Sequence, residues 1–237
     1  MYDLDDFGMA EMAKCCGAIR ALGSDASTME DVASAVVRHI YDGMRARNER
    51  ACAMVRLYKT HPLETLRPAE QRFASQLSKD DELRPETRCL TLMATTGDEP
   101  AWNARSSSAG HQAIPLPTEH VIARSPMVAQ LIHQLGLDAK AVVRPDAALI
   151  VDSAERAFNV FHVPEASGSP YIPAQDFVKA HGIRSVLGFG GLLPGADLFA
   201  TIMFTKVPVS RESAELFKTV ALSIKFKLLP FTDKVFS

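Results

Sequence analysis

The last quarter of the chain carries the pattern that most restricts its fold. Two apolar segments, Ser185–Leu193 and Leu198–Val207, are separated by Pro-Gly-Ala-Asp, a sequence typical of a tight turn. Ser210 then precedes a segment in which apolar residues recur every three or four positions, as on one face of a helix: Phe217, Val220, Ala221, Ile224 and Leu228. The pattern predicts a β-hairpin followed by a capped helix that ends at Pro230.

Glycines interrupt the first strand of this hairpin. In the sequence GFGG the glycines are Gly188, Gly190 and Gly191. They are not followed by the Lys-Ser/Thr pair of a phosphate-binding loop, and they do not open a helix. Glycines inside a strand commonly mark a bulge or a close backbone approach, and we expect a β-bulge here.

Helices and strands alternate in the first half of the chain. Ser27 and Glu30 have the spacing of a capping box, and the apolar periodicity that follows predicts a helix to about residue 46. Residues 52–59 and 89–96 are strand-like, and the segment between them predicts a helix over 67–77.

The middle of the chain contains a long polar loop and further short elements. Residues 97–110 are polar, rich in turn residues and contain the single tryptophan, Trp102, which indicates a lid or pocket rim. Ser125 and Pro126 begin another helix, and 147–151 and 156–163 are candidate strands.

This order predicts an α+β fold: a central antiparallel sheet packed by helices on one side, with helical N- and C-terminal ends. No composition shift or linker divides the chain. We expect an N-terminal arm or short helix over 1–26, one domain over 27–230, and an unstructured tail over 231–237.

Composition argues against several classes of function. The formal net charge is −2 and 23% of the residues are charged, which does not favour nucleic-acid binding. No segment approaches the about 18 to 20 apolar residues that span a bilayer, and the acidic N-terminus differs from a secretion signal. We expect a cytoplasmic protein that is not bound to membranes.

The cysteines do not form a recognisable framework. They are irregularly spaced and contain no CxxC pair: Cys15, Cys16, Cys52 and Cys89. We expect reduced thiols, and the adjacency of Cys15 and Cys16 gives no role by itself.

The segment Ser185–Phe231 resembles the closing hairpin and last helix of GAF domains, and the helix leading into CAMVRLYK resembles their first helix and strand. The tracts CAMVRLYKTHP, GHQAIPLP, NVFHVPEASGSPYIPAQ and GIRSVLGFGG are similar to uncharacterised sensory regions found alone or beside bacterial histidine kinases. The resemblance extends over about residues 27–230 and implies a GAF/PAS-like sheet flanked by helices.

The resemblance also implies a class of function. GAF modules bind cyclic nucleotides, bilins, haem, iron or small metabolites between the sheet and the helices, and many dimerise through their terminal helices. This chain lacks the Asn-Lys-Phe-Asp-Glu signature of the cyclic-nucleotide binders, and none of its cysteines lies in a bilin-attachment context.

Two histidines beside predicted strands are the candidate metal or haem ligands, His111 and His162. Each can equally be a half-buried histidine that binds a backbone carbonyl. Haem and a metal ion are both left open, and the ligand itself is not defined by the sequence.

The proline-rich loop 164–175 is the second candidate rim of a pocket. Its prolines can hold Glu165, Tyr171 and Gln175 in fixed directions, and Arg184 beside it can pair with an anion. The alternatives are a surface turn fixed by proline and a surface salt bridge.

We therefore expect a sensory domain without enzymatic activity that binds a small molecule and signals through a homodimer or a partner such as a histidine kinase. The sequence has no nucleophile elbow, zinc motif or carboxylate pair. Two alternatives stay open. One is a thiol-dependent enzyme using Cys52 or Cys89 with His111 or His162. The other is a ligand-free docking module that associates through the apolar face of the last helix, Phe217, Val220, Ile224 and Leu228.

Overall fold

The computed structural model describes residues 1–78, 82–108, 110–145 and 159–236. Six strands form one antiparallel sheet in the order β6-β5-β4-β9-β8-β7. The strands of this sheet are β4 (Cys52–Pro62), β5 (Arg88–Gly97), β6 (Ala113–Pro115), β7 (Val160–Val163), β8 (Ser185–Leu192) and β9 (Leu198–Thr205).

Three short strands form a second sheet beside the N-terminal arm, which the sequence did not predict. In it β1 (Tyr2–Asp3) pairs in parallel with β2 (Met44–Ala46), and β2 pairs with β3 (Glu49–Arg50).

Helices cover both faces of the large sheet. The described helices are α1 (Met9–Ala21), α2 (Met29–Gly43), α3 (Pro68–Ser78), α4 (Glu119–Ala123), α5 (Pro126–Gln134), α6 (Ala139–Val143), α7 (Gln175–Ala180) and α8 (Arg211–Leu228). The α+β class, with an antiparallel sheet flanked by helices and with helices at both ends, is confirmed.

The prediction that helices pack against only one side of the sheet is wrong. We call the side packed by α1, α2 and α8 the helical face; its core includes Leu57, Met203 and Phe217. We call the other side the loop face; it is covered by α4 to α7 and its core includes Leu92 and Ile202. Because both faces are covered, β4 is buried along most of its length, and charged side chains within it lie inside the protein.

The helix caps show how local sequence sets the boundaries. The capping box of α2 is one residue later than predicted: Thr28 Oγ1 accepts a hydrogen bond from Asp31 N at 3.2 Å, and Asp31 Oδ2 accepts one from Thr28 N at 3.0 Å. Ser210 caps α8 as predicted, accepting from Ser213 N. The carboxylate of Glu30 is thereby free to form ion pairs elsewhere.

The hairpin of β8 and β9 is confirmed, with its turn at Pro194–Asp197. Their register is continuous, so the predicted bulge does not occur there. The close approach does occur, because a Cβ on Gly190 would lie 2.0 Å from the carbonyl oxygen of Phe199.

Bulges fall instead in the pairings of β4. One separates Leu57 from Tyr58 opposite β5, and the other separates Cys52 from Met54 opposite β9.

The predictions for residues 147–163 and for the C-terminal tail have different outcomes. Residues 147–151 lie outside the described residues, as do 156–158 of the strand predicted over 156–163. The last four residues of that prediction form β7 (Val160–Val163). The prediction of an unstructured tail is wrong for these residues: the Lys234 and Val235 carbonyls accept hydrogen bonds from Met29 N and Glu30 N, at 2.8 and 3.0 Å.

The division of the chain at residues 26 and 230 stays a prediction. Among the described helices, none is long and apolar enough to cross a membrane.

Candidate functional site

A group of buried polar side chains lies on the loop face, at the middle of the sheet. Arg56 donates from Nη1 to the Tyr58 hydroxyl at 3.3 Å and from Nη2 to Ser108 Oγ at 3.0 Å. Thr95 is the direct cross-strand partner of Arg56 and therefore shares its face. We call these four residues the Arg56 cluster.

The cluster is almost completely removed from solvent. Arg56 is 8% exposed, and Tyr58, Thr95 and Ser108 are buried as well. Nevertheless, Arg56 Nε and Thr95 Oγ1 have no hydrogen-bond partner. A buried polar atom without a partner costs free energy, so such atoms mark places where a ligand or water completes the structure.

Local sequence explains why these side chains converge. Arg56 and Tyr58 are two residues apart in β4, so they point to the same face. The bulge between Leu57 and Tyr58 leaves Met93 as the extra residue of β5 beside them. Bulges redirect neighbouring side chains and are frequent next to binding sites.

Arg56 differs from two other buried arginines in its electrostatic surroundings. Arg88 pairs with Asp197, and Arg105 pairs with Glu30 and Glu70. Among the described residues, no carboxylate forms an ion pair with Arg56, whose hydrogen-bond acceptors are two neutral hydroxyls. The cluster is therefore an electropositive point inside the protein.

The loop that carries Trp102 covers this part of the loop face. Gly97, at the end of β5, leaves room for the indole: a Cβ there would lie 2.6 Å from Trp102 Cε3. The ring also contacts Phe177 and His181, with centroid separations of 5.7 and 4.6 Å. Because Phe177 and His181 belong to α7 and its end, the structure joins the Trp102 loop to the segment that follows the proline-rich loop.

The proline-rich loop is fixed by its own glutamine. Gln175 donates from Nε2 to the carbonyls of Ala166 and Ile172, at 3.1 and 2.7 Å, and accepts from Gly168 N at 2.8 Å. Glu165 and Tyr171 are exposed. The Gln175 amide is thus engaged with its own loop, and a ligand role for these three residues stays a prediction.

The two candidate metal ligands lie on opposite sides of the sheet. His162 faces the helical side, where Nε2 donates to the Val209 carbonyl at 3.0 Å. Burial, partly offset by the hydrogen bond to Val209, lowers the pKa of His162. His162 thus binds a backbone carbonyl, which is the alternative to metal or haem binding that the sequence left open for this residue.

His111 lies near the Arg56 cluster at the surface. It is exposed and has a left-handed backbone conformation, with φ of 58°. The protein around its ring and the Arg56 cation both lower the pKa of His111, which keeps the imidazole neutral. Among the described residues, no group of three or more His, Cys, Asp or Glu side chains is arranged to hold a metal ion.

Arg184 is exposed, and its backbone N–H and carbonyl groups form hydrogen bonds. Its N–H donates to Thr205 O at 2.7 Å and its carbonyl accepts from Ala166 N at 2.8 Å. These bonds attach the proline-rich loop to the hairpin, and an anion-binding role for Arg184 stays a prediction.

The thiols are buried and unactivated. Burial raises the pKa of Cys52 and of Cys89 to about 12 in each case. A thiol nucleophile requires a lowered pKa, so these surroundings give no support to the thiol-enzyme alternative. The expectation that the chain is not an enzyme stays a prediction.

A separate cavity of about 260 Å³ lies where β5 begins. Its lining includes Arg84, Arg88, Arg144, Glu82 and Glu86, and none of the seven site residues predicted from the sequence lines it. Three arginines and two glutamates thus face this cavity, which lies apart from the Arg56 cluster.

The sequence contained little indication that Arg56 belongs to a buried polar cluster. Arg56 lies within the strand-like segment CAMVRLYK, and in a strand with one face in water its charged side chain would point to solvent. Only the covering of both sheet faces places it inside. Phe177 and His181 gave no signal, because their contact with Trp102 joins segments about 75 residues apart in a way that no local pattern encodes.

No family model and no curated protein sequence matches this chain. Solved structures do resemble it. A GAF domain of a phosphoenolpyruvate-protein phosphotransferase from Coxiella burnetii is 13% identical, with a TM-score of 0.47 and coverage of 92% of both chains.

Two further solved structures are similar over comparable lengths. The phycocyanobilin-bound GAF domain of a cyanobacterial phytochrome is 10% identical, with a TM-score of 0.44 and coverage of 92% of this chain and 94% of that one. The N-acylhomoserine lactone dependent LuxR family transcription factor CepR2 from Burkholderia cenocepacia is 12% identical, with a TM-score of 0.38 and coverage of 92% and 90%. GAF domains thus recur among these structures, and at such TM-scores their ligands say nothing about the ligand of this chain.

Proposed function

We propose that this chain is a sensory domain that binds a small molecule on the loop face of its sheet and transmits occupancy through its terminal helices. The observation that carries the proposal is the Arg56 cluster, in which a buried cation and a buried hydroxyl have polar atoms without partners. A buried cation without a carboxylate is costly, and a bound ligand with hydrogen-bond acceptors would offset that cost.

The surroundings of the cluster suit a ligand. Apolar and aromatic side chains form most of the loop-face core, and a few polar groups converge within it. Small-molecule sites typically combine such an apolar lining with a few directed hydrogen-bonding groups. Ser108, at the end of the Trp102 loop, contacts Arg56 directly, so ligand entry at the cluster would displace this loop.

The Trp102 loop is connected to the helical face. Arg105 in this loop binds Glu30 at the start of α2 and Glu70 in α3. The Arg105 guanidinium also lies over the ring of Phe236, 4.8 Å from the ring centroid. A ligand that moves the loop would therefore change contacts at α2 and at the segment that follows α8.

The output is proposed to be a homodimer or a partner such as a histidine kinase. The apolar face of α8 that the docking alternative would use does not serve this purpose, because Phe217, Val220 and Ile224 are fully buried in the core of the domain. Phe226, on another side of α8, is 55% exposed. A dimer through the terminal helices would use that side.

Mass spectrometry of small molecules released from the purified, denatured protein tests the ligand proposal. We expect a molecule present in stoichiometric amounts, and an absorbance spectrum will show whether it is haem or another chromophore. Native mass spectrometry of the same sample reports the number of subunits with and without the molecule.

A protein that carries no small molecule from any expression host and binds none from a metabolite library would contradict the proposal. A dimer that is unchanged by ligand removal would leave ligand binding intact but contradict the proposed transmission.

A further inference from the structure

The Nε–Nη2 edge of the Arg56 guanidinium indicates which chemical group the ligand carries. This edge presents two parallel N–H groups, which match the two oxygens of a carboxylate or phosphate. In Arg56, Nη2 donates to a serine hydroxyl and Nε donates to no acceptor.

The same protein shows what this edge binds when an anion is present. In Arg105 the Nε and Nη2 atoms bind the two oxygens of the Glu30 carboxylate, at 3.0 and 3.2 Å. The Arg105 side chain is 9% exposed, so this guanidinium, like that of Arg56, is largely removed from solvent. The Nε of Arg88 also has no partner, but Arg88 is paired with Asp197, so what distinguishes Arg56 among these arginines is that no carboxylate of the described residues pairs with it. An anion bound at Arg56 would supply the charge that Glu30 supplies to Arg105.

The hydroxyls around Arg56 can complete an anion site. Thr95 Oγ1 has no partner and lies on the strand position directly opposite Arg56. A hydroxyl hydrogen can rotate toward an anionic oxygen, so Thr95, Tyr58 and Ser108 can each donate to it. The site then offers a bidentate cation and neutral donors.

We propose that the ligand carries a carboxylate or phosphate group, and that Arg56 binds this group through its Nε–Nη2 edge while Ser108 yields its place to one of the anionic oxygens. This inference rests on the proposed ligand-binding function and specifies the class of ligand. The apolar remainder of the ligand would lie toward the Trp102 loop.

The test uses probes of defined charge on the full chain. Inorganic phosphate and benzoate represent the two sources of anionic oxygen, and benzamide is the neutral counterpart of benzoate. Fluorescence of Trp102, the single tryptophan, reports binding at the covering loop. We expect phosphate or benzoate to shift the fluorescence saturably and benzamide to have no effect at the same concentrations.

Variants locate the effect. Arg56→Met removes the charge but retains the length of the side chain, and we expect it to weaken anion binding at least about tenfold, the effect of losing a charge-assisted hydrogen bond. Arg56→Lys keeps the charge without the two-pronged edge and should have intermediate affinity. Arg20→Met, at an exposed position of α1, is the control and should bind as the unmodified chain does.

Unfolding of the ligand-free variants separates an anion site from a structural ion pair. Replacing an unpaired buried cation by methionine should leave the melting temperature unchanged or raise it, because no carboxylate is left without a partner. A fall as large as that of Arg105→Met would show that the protein itself supplies a counter-ion to Arg56, and would overturn the inference.

The remaining outcomes distinguish the two proposals. A neutral molecule released from the purified protein, or anion binding that persists in Arg56→Met, overturns the anionic ligand but leaves the sensory function standing. Failure of every probe together with the absence of any released molecule overturns both.

Discussion

Arg105 binds the Glu30 carboxylate through two hydrogen bonds, of 3.0 and 3.2 Å, and so joins the Trp102 loop to the first turn of α2. The two residues are 75 positions apart, and Glu70 receives a third bond from the same guanidinium at 2.8 Å. This ion-pair network connects the covering of the proposed site with the helical face of the domain.

Arg105→Met should lower the free energy of unfolding by about 3 kcal/mol, because it leaves two largely buried carboxylates without their cation. Denaturant unfolding followed by circular dichroism measures the change. Lys14→Met, which removes an exposed ion pair with Glu11, is the control and should change stability by less than about 0.5 kcal/mol. A loss no larger than that of the control would show that the network is not a stabilising connection.

Gly97→Ala should disturb the position of Trp102, because the added Cβ would lie 2.6 Å from the indole and 2.9 Å from the Ala53 carbonyl. We expect a loss of about 1–3 kcal/mol from overpacking, together with a change in tryptophan fluorescence. Gly17→Ala is the matched control: this glycine is exposed in α1 with no atom near the new Cβ, so stability should rise by about 0.5–1 kcal/mol. Unchanged fluorescence in Gly97→Ala would contradict the packing described for Trp102.

Stability should fall as the pH decreases below about 6.5, the ordinary pKa of histidine. Burial, and then the nearby Lys59 and Arg88 cations, hold the pKa of His61 well below that value, and burial also lowers the pKa of His162. Since the unfolded chain binds these protons more readily, each histidine stabilises the fold above pH 6.5 and loses this contribution as the pH falls. The slope can reach about 1.4 kcal/mol per pH unit for each histidine.

Urea unfolding between pH 5 and pH 8 measures this dependence, and His61→Leu should make it shallower. His120→Gln, at an exposed position of α4, controls for the substitution itself. Equal slopes in His61→Leu and the unmodified chain would mean that folding does not shift the pKa of His61.

Native thiols should react slowly with a disulfide reagent. All four cysteines are buried, and burial raises the pKa of Cys15, Cys52 and Cys89 to about 12 in each case. We expect labelling at least about a hundredfold slower than that of free cysteine, and rapid labelling of all four thiols in denaturant. A thiol in the folded chain that reacts faster than free cysteine would revive the thiol-enzyme alternative.

Local pattern was sufficient for most of the individual elements. The hairpin of β8 and β9 and the helix α8 followed from alternation, turn residues and three-four periodicity, because these depend on backbone geometry within a few residues. The α2 cap was misplaced by one residue, since Ser27 and Thr28 are both good caps and the packing of the chain entering the helix decides between them.

The sequence by itself determined the α+β class, the order of the main elements and the Trp102 loop as a covering segment. Tertiary structure decided that both faces of the sheet are covered, and therefore that Arg56 is inside the protein rather than on its surface. The reason is physical: alternation specifies which side chains share a face, but whether that face meets water depends on helices contributed by distant parts of the chain. Burial by these distant segments makes the unpaired Arg56 charge unfavourable, and the proposed anion site follows from that burial.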